Sequence, residues 1–403
     1  MQPETHYPTT QQGVVFVSLN TVRCMQKSIR PLRDNEILVQ IELAGICGAE
    51  SRAIKGGKKG VNATSVKSGI ILGHEGVGII HAIGSAVSHY AIGDRVAILS
   101  HVPCGNCTSC TQGHTNRCLK LEHIGFTRDG SAAEYIILPA QHPTIMKIPH
   151  DIPAKIGTLI EPLSCVLHGL RRLHPDYFYA LHQKQVLILG AGPIGMIWAL
   201  FGLSNGATSI TIVDPQKNID LIYKAIPHIY KNRVHVLSSI EHVPKNSVDT
   251  AIIANSDPQS ASLLPPYLTQ ESEIVSFAGL NGYSPKLQSD GTYGFDLDTD
   301  TWQSLNPILL SEVHYKEIRH AIFLDNTKII YLVGSSGYTI DDAEMVLKLF
   351  IKKPNLYELF TPIITHELNL REAAEVYSHF GDHAQLSQGT YNADQAIQMI
   401  IRP

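Results

Sequence analysis

With 403 residues, 44% of them hydrophobic and 17% charged, the chain has the composition of a folded protein large enough for two or three domains, and disorder is excluded. Its 32 basic and 36 acidic residues leave a net charge of −4, too small for a field that gathers nucleic acid or an anionic membrane. No run of about 18 apolar residues occurs and the Met1–Thr5 start lacks signal-peptide character, so a cytoplasmic location and a small neutral partner are expected.

The first part of the chain reads as β. Ile37, Val39, Ile41 and Leu43 alternate with Glu36, Gln40 and Glu42 at the period of a half-buried strand. Further runs at Gly76–Ile80, Arg95–Leu99 and Ala133–Leu138, separated by Gly-Asp and Asp-Gly turn signals, continue it as a barrel or sandwich. Cys24 stands alone and is expected as a buried apolar thiol. Cys47, in Gly45-Ile46-Cys47-Gly48, and His74 and Glu75, in Gly73-His74-Glu75-Gly76, also lie here. Taken singly, such residues are more often structural than metal-binding.

Of seven cysteines, four crowd into the pattern C-x2-C-x2-C-x7-C at Cys104, Cys107, Cys110 and Cys118. That spacing lets four thiolates close a tetrahedron around one zinc, and a site with no open position is structural. Four unpaired thiols among Gly105, Asn106, Thr108 and Ser109 would be reactive without a packing reason.

From Gln185 the texture changes to unbroken apolar strands, Val186–Leu189 and Ile210–Val213, alternating with helical stretches, as in a buried parallel sheet. Between those strands lies Gly190-Ala191-Gly192-Pro193-Ile194-Gly195, opening a helical stretch from Met196, and Asp214 ends the second strand. Strand, glycine loop, helix and trailing acid together predict dinucleotide binding, with pyrophosphate at the helix N-terminus. Asp214 would accept bonds from ribose hydroxyls and repel a 2′-phosphate, favouring NAD over NADP, with Lys217 a partial offset. Strands are predicted at Thr250–Ala254, Glu273–Phe277 and Ile329–Val333. The polar stretch from Leu280 to Lys328 reads as an insertion. Within it Asp296, Asp298 and Asp300 imitate a calcium loop, which Thr301 and Pro307 rule out by replacing its glycine and its bidentate glutamate. Ala343, Val346, Leu347 and Phe350 then repeat at helical spacing behind Asp341 and Asp342.

Gly-His-Glu-Gly, Asp94-Arg95-Val96, the cysteine lobe and the glycine loop fall in the order found in zinc alcohol dehydrogenases, and the chain resembles that medium-chain dehydrogenase/reductase family over nearly its whole length. The resemblance implies an α/β protein: a GroES-like β-barrel catalytic domain over residues 1–157, a Rossmann doubly wound domain over 158–336, and a return to the catalytic domain over 337–403. It implies a catalytic zinc held by Cys47, His74 and an acidic residue, Glu75 or Glu161, with Cys165 a lesser candidate. It also implies an NAD-dependent alcohol or polyol dehydrogenase that assembles as a dimer or tetramer. Glu312–Glu317, Gly334–Gly337 and Ile364–His366 resemble the sugar-alcohol branch, while threonine-like amino alcohols stay open. Ala49 departs from the pattern, since relatives carry a proton-relaying Ser or Thr there; Glu75, Glu161, water or a substrate hydroxyl would have to replace it. A zinc-stabilised nucleotide sensor without turnover is the competing reading, and zinc-free quinone reductases fail on the retained metal residues.

Overall fold

The computed structural model describes residues 7–55, 66–140, 144–255, 257, 260, 262–277, 319–324, 328–379 and 395–403, and the backbone of short strand segments at 286–287, 293–294, 384–386 and 389–391. The strand Glu36–Gly45 organises the N-terminal sheet. Glu75–Ile83 pairs along one side of it; Tyr135–Pro139 and Gln398–Ile401 share the other, all antiparallel. Arg95–Ile98 and Ile145–Lys147 extend the sheet beyond Glu75–Ile83. A hairpin of Thr10–Ser18 and Thr21–Ser28 joins through the bridges Gly13 to Ala133 and Val15 to Ile71.

The expected alternation along this strand is largely lost. Only Gln40 is exposed, because the helix Leu370–Ser378 and the hairpin complete an apolar core with the strand. Glu36 is buried by a bidentate bond from Arg30 (2.6 and 2.7 Å), and Glu42 is engaged by Arg95 (2.6 and 2.7 Å). Cys24 is half-buried instead of buried, because its strand keeps Arg23 and Met25 at the surface.

In the second sheet the strands lie in the order Val234–Leu237, Ser209–Val213, Gln185–Leu189, Val248–Ile253, Leu268–Ser276, Lys328–Gly334 and Arg319–Leu324. The first six are parallel and the last is antiparallel. The chain reverses direction beside Gln185–Leu189, which opens a crevice at the carboxyl end of that strand. Apolar clusters cover both faces, which is why these strands read as unbroken hydrophobic runs.

The helix Ile160–Leu173 joins the sheets, with Leu163, Val166, Leu167 and Leu170 in the core that also holds Leu43, Val77 and Trp198. Helix Ile340–Lys352 buries Ala343, Val346 and Phe350 in that same core, whereas Ile364–Leu368 and Gln398–Ile401 add to the N-terminal sheet. Asp296, Asp298, Asp300, Thr301, Pro307 and the Glu312–Glu317 segment lie outside the described residues. Among the described residues, no helix is long and apolar enough to cross a membrane.

Candidate active site

Cys47 follows the strand Glu36–Gly45 and caps the helix Gly48–Ile54, its Sγ accepting the Ala49 amide at 3.4 Å. Glu75 begins the neighbouring strand and stands opposite Gly45. This register brings ligand atoms of Cys47, His74 and Glu75 within 4.8 Å of one another. His74 Nδ1 meets Glu50 Oε1 at 2.7 Å; Glu50, fully buried, also accepts the Gly73 amide at 2.8 Å and the Tyr377 hydroxyl. The Nε2 of His74 is thereby left for a cation, the usual division of an imidazole between ligand and orienting carboxylate. Burial works against charge on His74, but Glu50 and Cys47 outweigh it and hold its pKa well above the ordinary value. Burial pushes Glu75 up to about 8 and also raises Cys47. One thiol, one oriented imidazole and a carboxylate in a dry site suit zinc, whose charge replaces protons that buried acids otherwise retain.

Glu161 opens the helix Ile160–Leu173 and stands outside this close group. Its carboxylate is hydrogen-bonded with Ser100 and Tyr338, and its charge reaches Glu75. The Tyr338 hydroxyl accepts the Ser100 amide at 2.8 Å and lies 3.2 Å from Ser100 Oγ, while its ring stacks on His101. Cys165 follows Glu161 by one helical turn; burial, then Glu161, Cys47 and Glu75, drive its thiol pKa well up. Of the residues singled out from sequence, Cys47, His74 and Glu75 are thus brought together, and Glu161 and Cys165 stand outside that group, within electrostatic reach of it. Glu50, Ser100, Tyr338, Tyr377 and Gln398 were not anticipated. Glu50, three residues beyond Cys47, was the one with a local signal.

In the cysteine lobe, the sulfurs of Cys104, Cys107, Cys110 and Cys118 all lie within 4.8 Å of one another, with Cys107 and Cys110 Sγ 3.5 Å apart. Thiolates bound to zinc at ~2.3 Å stand about 3.8 Å apart in a tetrahedron, so the set fits. The Cys104 and Lys120 amides each donate to Cys118 Sγ at 3.3 Å. Amides of Cys110 and Leu119 hold Cys107 down to about 6, whereas burial and neighbouring thiols push Cys110 up to about 12. So uneven a set becomes four thiolates only around a cation.

The glycine loop sits at the crevice. Gly190 has φ +110°, and a Cβ on Gly195 would lie 1.9 Å from the Gly190 carbonyl oxygen, so side chains are excluded at both. Gly192 caps the helix Pro193–Ser204, and a Cβ there would touch nothing within 4 Å, which leaves the helix N-terminus approachable; Ile194 is half-buried in its first turn. Asp214 accepts the amides of Ala191 (2.8 Å), Gln216 (2.9 Å) and Lys217 (3.0 Å), so it shapes the loop as well as ending the strand. The Lys217 ammonium is turned to the Ala396 carbonyl.

Residues 33–150 match the alcohol dehydrogenase GroES-like domain. A probable D-xylulose reductase A of Neosartorya fischeri is 31% identical over 247 residues, covering 60% of this chain and 64% of that one. The L-threonine 3-dehydrogenase of Deinococcus radiodurans is 34% identical over 180 residues, 45% of this chain and 49% of that one. Residues 33–150 thus carry the GroES-like domain of alcohol dehydrogenases, and the chain is similar to polyol and threonine dehydrogenases over the spans matched. It spans less than two thirds of the length of either relative in these matches. Its fold is that of galactitol-1-phosphate dehydrogenase from Escherichia coli, with a TM-score of 0.68 at 23% identity, covering 97% of this chain and all of that one (100%).

Proposed function

We propose that the chain is a zinc-dependent oxidoreductase moving a hydride between NAD(H) and a secondary alcohol, a polyol or sugar alcohol. The observation that carries this reading is the buried Cys47, His74 and Glu75 group with its imidazole already oriented by Glu50. Cys47, His74 and Glu75 would hold the ion, with Glu161 as the alternative acidic partner. Zinc bound there with one open position supplies Lewis acidity, lowering the pKa of an alcohol oxygen. Ala49 offers no hydroxyl, so the alcohol proton goes to Glu161, whose pKa burial raises, as a proton acceptor needs, while hydrogen bonds with Ser100 and Tyr338 partly offset that rise. Gly190, Gly192, Pro193, Ile194 and Gly195 cradle the pyrophosphate and Asp214 the adenosine ribose, favouring NAD. Cys104, Cys107, Cys110 and Cys118 hold a second, structural zinc.

Residues 1–157 with 337–403 act as the catalytic unit and 158–336 as the nucleotide unit. This division is supported by the addition of Gln398–Ile401 to Glu36–Gly45. Seven free thiols suit a reducing cytoplasm. Assembly as a dimer or tetramer would cover the edge strand Arg319–Leu324. Of the sugar-alcohol segments, Thr365 serves its own sheet, accepting the Ile397 amide and donating to the Gln398 carbonyl, so the substrate class rests on the longer match to a xylulose reductase. A threonine-like substrate is favoured by the higher identity over the shorter match. Zinc-loaded protein offered polyols, sugar alcohols and amino alcohols with NAD decides between them by absorbance of the reduced cofactor. Reduction with none of the three classes would leave the non-catalytic sensor.

A further inference from the structure

Gln398 is fully buried on the strand beside Glu36–Gly45, and its Nε2 donates to Glu75 Oε2 at 3.0 Å. The two side chains share a cradle only a glycine permits: a Cβ on Gly45 would lie 2.2 Å from Glu75 Oε2 and 2.8 Å from Gln398 Nε2. The backbone of Gln398 is clamped. Ile397 donates to Thr365 Oγ1 (3.0 Å), Thr365 Oγ1 donates to the Gln398 carbonyl (3.2 Å), and Lys217 holds Ala396. Among the described residues, Gln398 Oε1 has no hydrogen-bond donor although it is buried. Leaving an amide oxygen so costs free energy, and exchanging its two ends would set oxygen against the Glu75 carboxylate.

We infer that Gln398 is a positioning residue of the metal centre, its neutral amide fixing one oxygen of Glu75 while leaving the other oxygen, and the negative charge, to the cation. A Lys or Arg in its place would pair with Glu75 and compete with the ion. An apolar residue would leave Oε2 without a donor and the carboxylate free to rotate. Only a neutral donor satisfies the oxygen and preserves the charge.

This inference rests on reading Cys47, His74 and Glu75 as a metal centre, and one experiment separates the two. Zinc content and retention against a chelator are measured on wild type, Gln398→Met and Gln398→Lys, together with the absorption of cobalt substituted at the exchangeable site and thermal stability. Wild type should hold two ions. Gln398→Met should lose affinity for the more labile ion by roughly 10- to 100-fold, the range for partners that orient a ligand. Gln398→Lys should lose more, with an altered cobalt spectrum, and both variants should keep the lobe zinc. If Gln398→Met fails to fold, Gln398→Asn, an amide too short to reach Glu75, is read in its place. A single ion in wild type overturns both readings. Two ions in the variants, with wild-type affinity and cobalt spectrum, overturn the role of Gln398 alone.

Discussion

Replacing Asp342 tests how the helix carrying Glu161 is held. Asp342 is fully buried and accepts from His168 Nδ1 (2.7 Å), Arg171 Nη1 (2.5 Å), and the Thr339 amide and hydroxyl (2.8 and 2.7 Å). Two of these donors lie on Ile160–Leu173, so one carboxylate ties that helix to the start of Ile340–Lys352. Removing one partner of a buried ion pair costs about 3–5 kcal/mol and losing a helix cap adds about 0.5–2. Arg171, 34% exposed, can turn to water, which brings the expectation for Asp342→Ala to the lower end, about 3 kcal/mol. Asp342→Asn keeps an acceptor for Thr339 and should lose about half as much. Burial raises the carboxyl pKa, but His168 and Thr339 outweigh it and hold the group below its ordinary value. Its contribution is therefore complete above the unfolded pKa of about 3.9 and vanishes as pH falls through the lower folded value. Urea unfolding followed by tryptophan fluorescence should show a gap between wild type and Asp342→Asn that closes in acid as pH falls through the lowered folded pKa of Asp342. A loss under about 0.5 kcal/mol for Asp342→Ala, or a gap that widens in acid, would refute the assignment.

Cys107→Ser should remove one zinc by elemental analysis and lower the melting temperature, because structural zinc contributes folding free energy directly; unchanged values remove the structural role. Asp214→Ser should narrow the preference for NAD over NADP in steady-state turnover, and because Asp214 accepts three loop amides it should also raise KM for NAD. Glu161→Gln should suppress turnover about 10²- to 10⁴-fold while Ala49→Ser changes it only modestly; a large gain with serine and no loss with glutamine would refute transfer to Glu161. Zinc uptake by metal-free protein should release protons, with affinity rising up to about pH 8, where Glu75 titrates; calorimetry in buffers of different ionisation enthalpy checks this, and pH-independent affinity would contradict it.

Much of this was legible in the sequence because local signals carried it. Apolar runs at Gln185–Leu189 and Ser209–Val213 with a glycine loop between them admit few arrangements, and four cysteines within fifteen positions can reach one cation unaided. Glu36 and Glu42 were misread as surface residues because burial by Arg30 and Arg95 depends on partners six and fifty-three positions away. Tyr338 and Gln398 carry no local pattern; they enter the site through a strand and a loop that return after more than two hundred residues. That Glu75, and not Glu161, stands with Cys47 and His74 likewise follows from the register that sets Glu75 opposite Gly45.

On the proposed function, the buried acids would offset the missing hydroxyl at Ala49. Glu50, Glu75 and Glu161 share a dry region with the Cys47 thiol, and each raises the pKa of at least one other acid there. Without a cation, that repulsion is relieved by protons: Glu75 holds one at neutral pH, and His74 gains one between Glu50 and Cys47. A divalent ion would replace protons on the ligands it touches, while Glu161, set back against Ser100 and Tyr338, would not be among the closest. Its carboxylate then stands beside a positive centre without being consumed by it. On the proposed function, a base in that position would accept the alcohol proton directly, since Glu161 stands outside the group formed by Cys47, His74 and Glu75.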